Sequence, residues 1–220
     1  MFSDSWISAS PPEFRRAVLS RCQWRRHATG TILSHIGADQ GTVYGLASGT
    51  MAFSTTHAGA ELRLSHIIHS GDWVGVGPAL TGRPRTGQLS VRAPSVIAHL
   101  SPAAIDAIVA IEPSWWREFG RLAIIYGDTA SIIGNDLMIA DNRQRCAATL
   151  LRLAGIRHRD RDDQPALVQV GQDELGAIAN LSRNSVNRIL GALEAQGLVR
   201  VGYRTIALPD PAALRRLIEI

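Results

Sequence analysis

Lysine is missing from this chain: all 23 basic side chains are arginine. Arginine suits planar, two-point contacts to phosphate or guanine, although a coding bias produces the same composition. Cysteine is nearly missing too. Cys22 and Cys146 are the only two and lie far apart. One chain therefore cannot build a disulfide framework, a paired-cysteine zinc site or a four-cysteine iron–sulfur cluster. Long apolar runs are also absent. Leu122 to Tyr126 is far too short to span a bilayer. Met1 to Pro12 holds no basic region leading into an apolar stretch. Neither a membrane span nor a secretory signal is expected, so the expected location is cytoplasmic.

The 220 residues, 45% of them hydrophobic and 19% charged, are enough for one large or two modest domains of an ordinary globular protein. The net charge of +4 permits a nucleic-acid partner without requiring one.

From about Gly30 to Leu100 the pattern reads as β. Apolar stretches at Thr31–Leu33, Val43–Leu46, Met51–Phe53, Leu62–Ile68, Leu89–Val91 and Val96–Leu100 sit between Gly, Pro, Ser and Asp. Short strands at this spacing predict a small barrel or sandwich. The period then changes. Ser101-Pro102 has the form of a helix start, with serine as cap and proline in the first turn. Beyond Pro113, Trp115, Phe119, Leu122, Tyr126, Thr129 and Ile133 recur at intervals of 4, 3, 4, 3 and 4, with Trp116, Ala123 and Ala130 beside them. Gly134-Asn135 ends one long predicted helix. This stripe fits the seam of a two-helix coiled coil, and it also fits a helix lying on its own β-domain. Asp136 to Asp141 reads as a hinge. An amphipathic helix with Cys146, Ala147, Leu150, Leu151 and Leu153 on its apolar face follows, ending at Gly155. The run Arg157 to Asp163 reads as a solvated mixed-charge loop.

The segment from Gln172 to Ile206 carries the most chemistry. Gln172 to Ala179 predicts a short helix with acidic residues in its first turn. Asn180-Leu181-Ser182 interrupts it: asparagine tolerates a left-handed turn, Leu181 plugs the corner and Ser182 caps the next helix. On that second helix Val186, Ile189, Leu190 and Leu193 share one face, and Arg183, Asn184, Asn187 and Arg188 share the other. This is a helix-turn-helix whose second helix suits a major groove. Arginine pairs there with guanine O6 and N7, and asparagine with adenine N6 and N7. Leu198 to Ile206 predicts a β-hairpin wing, from which Arg200 and Arg204 reach phosphate. Ser182 and Ser185, at the helix start, are further phosphate candidates. A purely structural helical hairpin would not need the polar Arg/Asn face.

The order β-domain, long heptad helix, winged helix resembles the Crp/Fnr family of bacterial regulators. Leu150-Leu151-Arg152-Leu153-Ala154 is similar to the family's post-hinge helix, Leu175 through Leu193 to its helix-turn-helix, and Gly197-Leu198-Val199 to its entry to the wing. The resemblance implies an α+β fold: a jelly-roll-like, cyclic-nucleotide-binding-like β-roll sensor over 1–112, a dimerisation helix over 113–135, and a winged helix-turn-helix over 136–220. It implies a homodimer on palindromic double-stranded DNA, contact with RNA polymerase, and base reading by Arg183, Asn184 and Arg188. Asn184 stands where the family often has Glu, which shifts the preferred base toward adenine.

The resemblance also locates an effector pocket at Gly75, Val76, Arg85, Thr86 and Ser131. Arg85-Thr86 matches the pair that holds a cyclic phosphate. Val76 falls on the ribose-binding Glu, and the adenine-contacting pair falls on Ala130 and Ser131. A lost buried polar partner costs on the order of 1–3 kcal/mol, so cyclic AMP is not the expected effector and the ligand is left open. No metal site is expected from His27, His35, His57, His66, His69 or His99; an i, i+3 pair such as His66 and His69 in a strand points to opposite faces. No enzyme is expected either. Gly75-Val76-Gly77 is not continued as a dinucleotide fingerprint at Pro78 and Leu80, and no acid–base or nucleophile set converges by spacing. A scaffolding module whose winged helix binds protein is the alternative reading.

Overall fold

Pro12, free of the need for an amide donor in a first turn, opens α1 (Pro12–Arg21). The computed structural model describes residues 5–38, 41–56, 61–157 and 164–218. In chain order there follow β1 (Gln23–His27), β2 (Ile32–Ser34), β3 (Val43–Thr55), β4 (Arg63–Ile68), β5 (Trp73–Val74), α2 (Val76–Thr81), β6 (Gln88–Leu100), α3 (Pro102–Val109) and, after a single 3-10 turn, α4 (Trp116–Met138). The chain divides into two compact units, Met1–Asp128 and Thr129–Ile220.

In the first unit one antiparallel sheet runs β1-β6-β3-β4, with β2 on β6 and β5 on β3. Four of the short predicted strands merge into two long ones, β3 and β6. Gly49, which reads as a break, is instead a bulge inside β3: its φ is +94°, and a Cβ there would lie 2.6 Å from the Pro94 carbonyl oxygen. The β3–β6 register slips around it, so the ladder bends without ending. Alternation along β3 feeds two cores. Tyr44, Leu46 and Met51 line the inside of the roll with Ile68, Leu89, Val91 and Ile97. Val43 joins Trp6, Phe14, Trp73, Ile105 and Ile108 beneath the helices.

The second core also takes Phe119 and Leu122, which are 0% and 1% exposed, with Trp115 and Tyr126 packed against it. The Tyr126 hydroxyl donates to the Trp73 carbonyl. Arg121 donates to the Trp6 carbonyl at 3.0 Å, and Trp6 Nε1 donates to the Glu118 carbonyl at 2.7 Å. Of the expected seam residues, Phe119 and Leu122 are therefore buried within their own unit, while Trp115 and Tyr126 pack half-buried against its core. The heptad spacing is real, but its apolar line faces inward. Thr129 and Ile133 are half-buried.

The second unit continues with α5 (Asn142–Leu153), β7 (Ala166–Val168), α6 (Gln172–Ala179), α7 (Arg183–Ala195), β8 (Arg200–Gly202), β9 (Thr205–Leu208) and α8 (Pro211–Arg216). Its sheet runs β7-β9-β8. Cys146, Ala147, Leu150, Leu151 and Leu153 are fully buried, as the amphipathic pattern predicts. Burial pushes the Cys146 thiol up to about 12, so it serves as a small apolar residue. The helix end expected at Gly134-Asn135 lies further on, at Met138. Asp136, 1% exposed, is held at 3.0 Å by Arg152 and 3.1 Å by Arg157. These bonds fix the last turn of α4, so the bend is confined to 139–141, where the Asp141 carboxylate accepts from the Gln144 amide at 2.8 Å and caps α5. The expected mixed-charge loop lies outside the described residues beyond Arg157, as does His57. The fold is α+β: an antiparallel β-roll, a long helix and a C-terminal winged helix-turn-helix.

Candidate nucleic-acid interface

The reading head is built from its turn outward. Gly171 N–H donates to the Glu174 carboxylate at 3.1 Å, and this glutamate supplies the side-chain half of the start of α6. At the other end Asn180 adopts φ +51°, ψ +52°, the left-handed conformation that asparagine tolerates. The chain then doubles back so closely that Leu181 N–H donates to the Gly176 carbonyl at 2.8 Å. A Cβ on Gly176 would sit 2.8 Å from the Leu181 carbonyl oxygen, so the tight elbow depends on glycine at that position. Ser182 Oγ accepts from the Ser185 amide at 3.2 Å and meets Ser185 Oγ at 2.9 Å, capping α7.

Amphipathicity then sorts α7. Val186, Ile189, Leu190 and Leu193 are buried, while Arg183, Asn184, Asn187 and Arg188 are exposed. Arg183 Nε lies 3.4 Å from Asp173 Oδ1 with both side chains 72% exposed. A pair so open to water is weak and leaves the guanidinium able to turn toward a ligand. The wing stands beside this face. Its turn is Tyr203-Arg204, with Arg204 at φ +52° and Tyr203 91% exposed. Arg200 and Arg204 are both exposed. Val201 N–H donates to Glu194 Oε1 at 2.7 Å, tying the wing to the end of α7. A cleft of about 280 Å³ between head and wing is lined by Asp173, Arg183, Tyr203 and Arg204, among others.

Two supports escape a reading of the sequence. Arg145 Nε donates to the Ala179 carbonyl at 2.9 Å, and its other nitrogens reach the Ile139 carbonyl and Asn142 Oδ1. One guanidinium thus joins the 139–141 connector to the elbow of the reading head. The Asp136–Arg152–Arg157 cluster is the other. Arg152 and Arg145 lie on the helix whose leucines identify it, and spacing alone says nothing of what their charged ends will meet.

The expected effector residues sit in the first unit, apart from Ser131, which is exposed on α4. Gly75, at φ +94°, precedes α2, and a Cβ there would lie 2.7 Å from Arg85 Nη1. Arg85 is 6% exposed, donates to the Thr42 carbonyl at 2.6 Å and lies 5.5 Å from the Tyr44 ring centre. Thr86 is exposed, and Val76 is buried in the helical core. Among the described residues no helix is long and apolar enough to cross a membrane.

Comparison with known proteins agrees with this architecture. Residues 144–217 match the family model of the Crp-like helix-turn-helix domain. The cAMP-activated global transcriptional regulator CRP of Pasteurella multocida is 26% identical over 192 residues, covering 86% of this chain and 91% of that protein. The transcriptional regulator LdrP of Thermus thermophilus is 28% identical over 183 residues, covering 82% and 89%. The crystal structure of TTHB099, a CRP-family transcriptional regulator also from Thermus thermophilus, superposes with a TM-score of 0.69 at 23% identity, covering 89% of this chain and 97% of that one. The chain is a DNA-binding transcription regulator that carries a Crp-like helix-turn-helix domain over 144–217 and is similar over most of its length to CRP regulators. Its N-terminal unit is a cyclic-nucleotide-binding-like sensing domain.

Proposed function

We propose that this regulator acts as a cytoplasmic homodimer that reads a palindromic operator through α7 and has no catalytic activity. The observation that carries this is the sorted surface of α7: its apolar face is buried, and Arg183, Asn184, Asn187 and Arg188 stand together in solvent. Arg183, Asn184 and Arg188 read base edges, assisted by Asn187, while Ser182, Ser185, Arg200 and Arg204 bind phosphate. The division of labour is sensing up to about residue 112, association through the long helix over 113–135, and DNA reading from 136 onward. Recruitment of RNA polymerase is implied by the resemblance to CRP regulators alone. In-vitro selection of duplex DNA on the full chain is expected to return an inverted repeat whose half-sites lie roughly 34 Å apart. Enrichment of an asymmetric site, or of none, would overturn this reading in favour of a protein-binding winged helix.

The seam is a different line of α4 from the expected one. Gly120, Ile124, Gly127, Ser131, Gly134 and Met138 also recur at 4, 3, 4, 3 and 4, and Ile124 and Met138 are 66% and 82% exposed. A Cβ at Gly120, Gly127 or Gly134 would meet nothing within 4 Å. Each glycine weakens a helix interior by about 1 kcal/mol relative to alanine, and among the described residues no packing neighbour requires them. Close approach of a second copy's helix does. Ile124→Asp is expected to weaken the dimer about a hundredfold in sedimentation equilibrium, since a two-fold axis brings two carboxylates together. An unchanged association constant in the folded variant would remove this seam.

Cyclic AMP, the activator in the name of the Pasteurella relative, does not suit this site. Val76, buried in the helical core, offers no acceptor for a ribose hydroxyl.

A further inference from the structure

At the end of the roll where β1, β2, β3 and β6 meet lies a cleft of about 400 Å³. Its wall carries Arg21, Arg25, His27 and His99, with the hydroxyls of Thr31, Thr42 and Ser101, and none of its lining residues is acidic. The volume falls in the range of small-molecule sites. Arg21 donates to the Ala17 carbonyl at 3.2 Å, and Arg25 donates to Gln23 Oε1 at 2.7 Å. A guanidinium carries five donors, so both retain donors for a ligand.

His27 and His99 are stacked, with their Nε2 atoms 2.9 Å apart. At that distance one ring's N–H donates to the other ring's lone pair. The pair can therefore accept one proton and keep its hydrogen bond, but not two. The charged or titratable groups around it are Arg25 on β1, Arg21 at the end of α1, Tyr44 on β3 in a T-shaped contact with His99, and Arg85 behind Tyr44; none is acidic, and Arg25 opposes even the first proton. Burial first, then His27 and Arg25, pull His99 down to about 4. Burial and Arg25 also lower His27.

We propose that this cleft is the ligand site of the sensing domain and takes a small organic or inorganic anion bearing phosphate or carboxylate groups. The proposal deepens the effector side of the function above and does not depend on which DNA sequence is read. An anion supplies the negative charge that the wall lacks, meets arginine donors in charge-assisted bonds, and raises the affinity of the histidine pair for its proton. The sign follows: binding takes up protons, so it tightens as the pH falls from about 7.5 to about 6.

Calorimetric titration of the full chain with pyrophosphate and with citrate, at both pH values and in buffers of different ionisation enthalpy, tests this without DNA. Saturable binding of at least one probe is expected, tighter at the lower pH, with uptake of up to one proton per site. Arg25→Gln, at an exposed position, is expected to weaken it about tenfold, and His99→Gln to abolish the proton uptake. The two probes separate phosphate from carboxylate recognition. Absence of saturable binding by either, or binding that both variants leave unchanged, would overturn the proposal. Neither result touches operator reading, which in-vitro selection measures separately.

Discussion

Asp136→Ala is expected to destabilise the C-terminal unit by about 3–5 kcal/mol, the range for removing one partner of a buried ion pair. The carboxylate is 1% exposed, and one of its partners, Arg152, is 3% exposed. Burial lowers the Arg152 pKa, with Asp136 opposing that shift, and an arginine does not shed its proton to escape. Deleting the carboxylate therefore leaves a guanidinium in the core of a unit built on α5. Arg157, at 20% exposure, has a route to water and suffers less. Guanidinium-chloride unfolding followed at the C-terminal unit measures the loss. The Asp136→Leu, Arg152→Met double variant is expected to recover most of it, because both charges leave together. A single-variant loss under about 1 kcal/mol would show that the pair is not buried as described.

Arg188→Ala should have the larger effect on function. A good two-point base contact discriminates by about 1–3 kcal/mol, and a two-fold dimer forfeits it at both half-sites. Affinity for the selected operator is expected to fall by about thirtyfold at least and by over ten-thousandfold at most. Binding to unrelated DNA should change little. Arg200→Ala on the wing provides the contrast: both specific and nonspecific binding weaken, and the salt slope of log K falls by about one for each phosphate released. Fluorescence anisotropy across a salt series distinguishes the two. If Arg188→Ala lowered both kinds of binding equally, α7 would be a phosphate contact and not a reading helix.

The reading head is almost wholly legible in the sequence because its logic is local. Ser182 caps α7, Asn180 takes the left-handed turn, and Val186, Ile189, Leu190 and Leu193 go inside, all within a few residues of one another. Gly176 is not legible in this way, since its reason is an oxygen of the returning chain. In the roll, glycine and proline signals mark bulges as if they were strand ends, which is why β3 and β6 read as separate pieces. β1, with the sequence Gln-Trp-Arg-Arg-His, is invisible because four of its five positions are exposed and carry no alternation. The stripe on α4 shows the limit most clearly. Periodicity reports that an apolar line exists, whereas what it faces depends on Trp6, Phe14 and Trp73, more than forty residues away in sequence.

That helix has a consequence for the order in which the protein assembles. It carries two lines of the same period, one closed over by the sensing unit and one left outside. In a nascent chain both are open, and the inner line, with Trp115, Phe119, Leu122 and Tyr126, is the stickier of the two. Only after the roll has captured it does α4 offer the glycine-rich line alone. On the proposed seam, association through that line would be reserved for chains whose first unit has already folded.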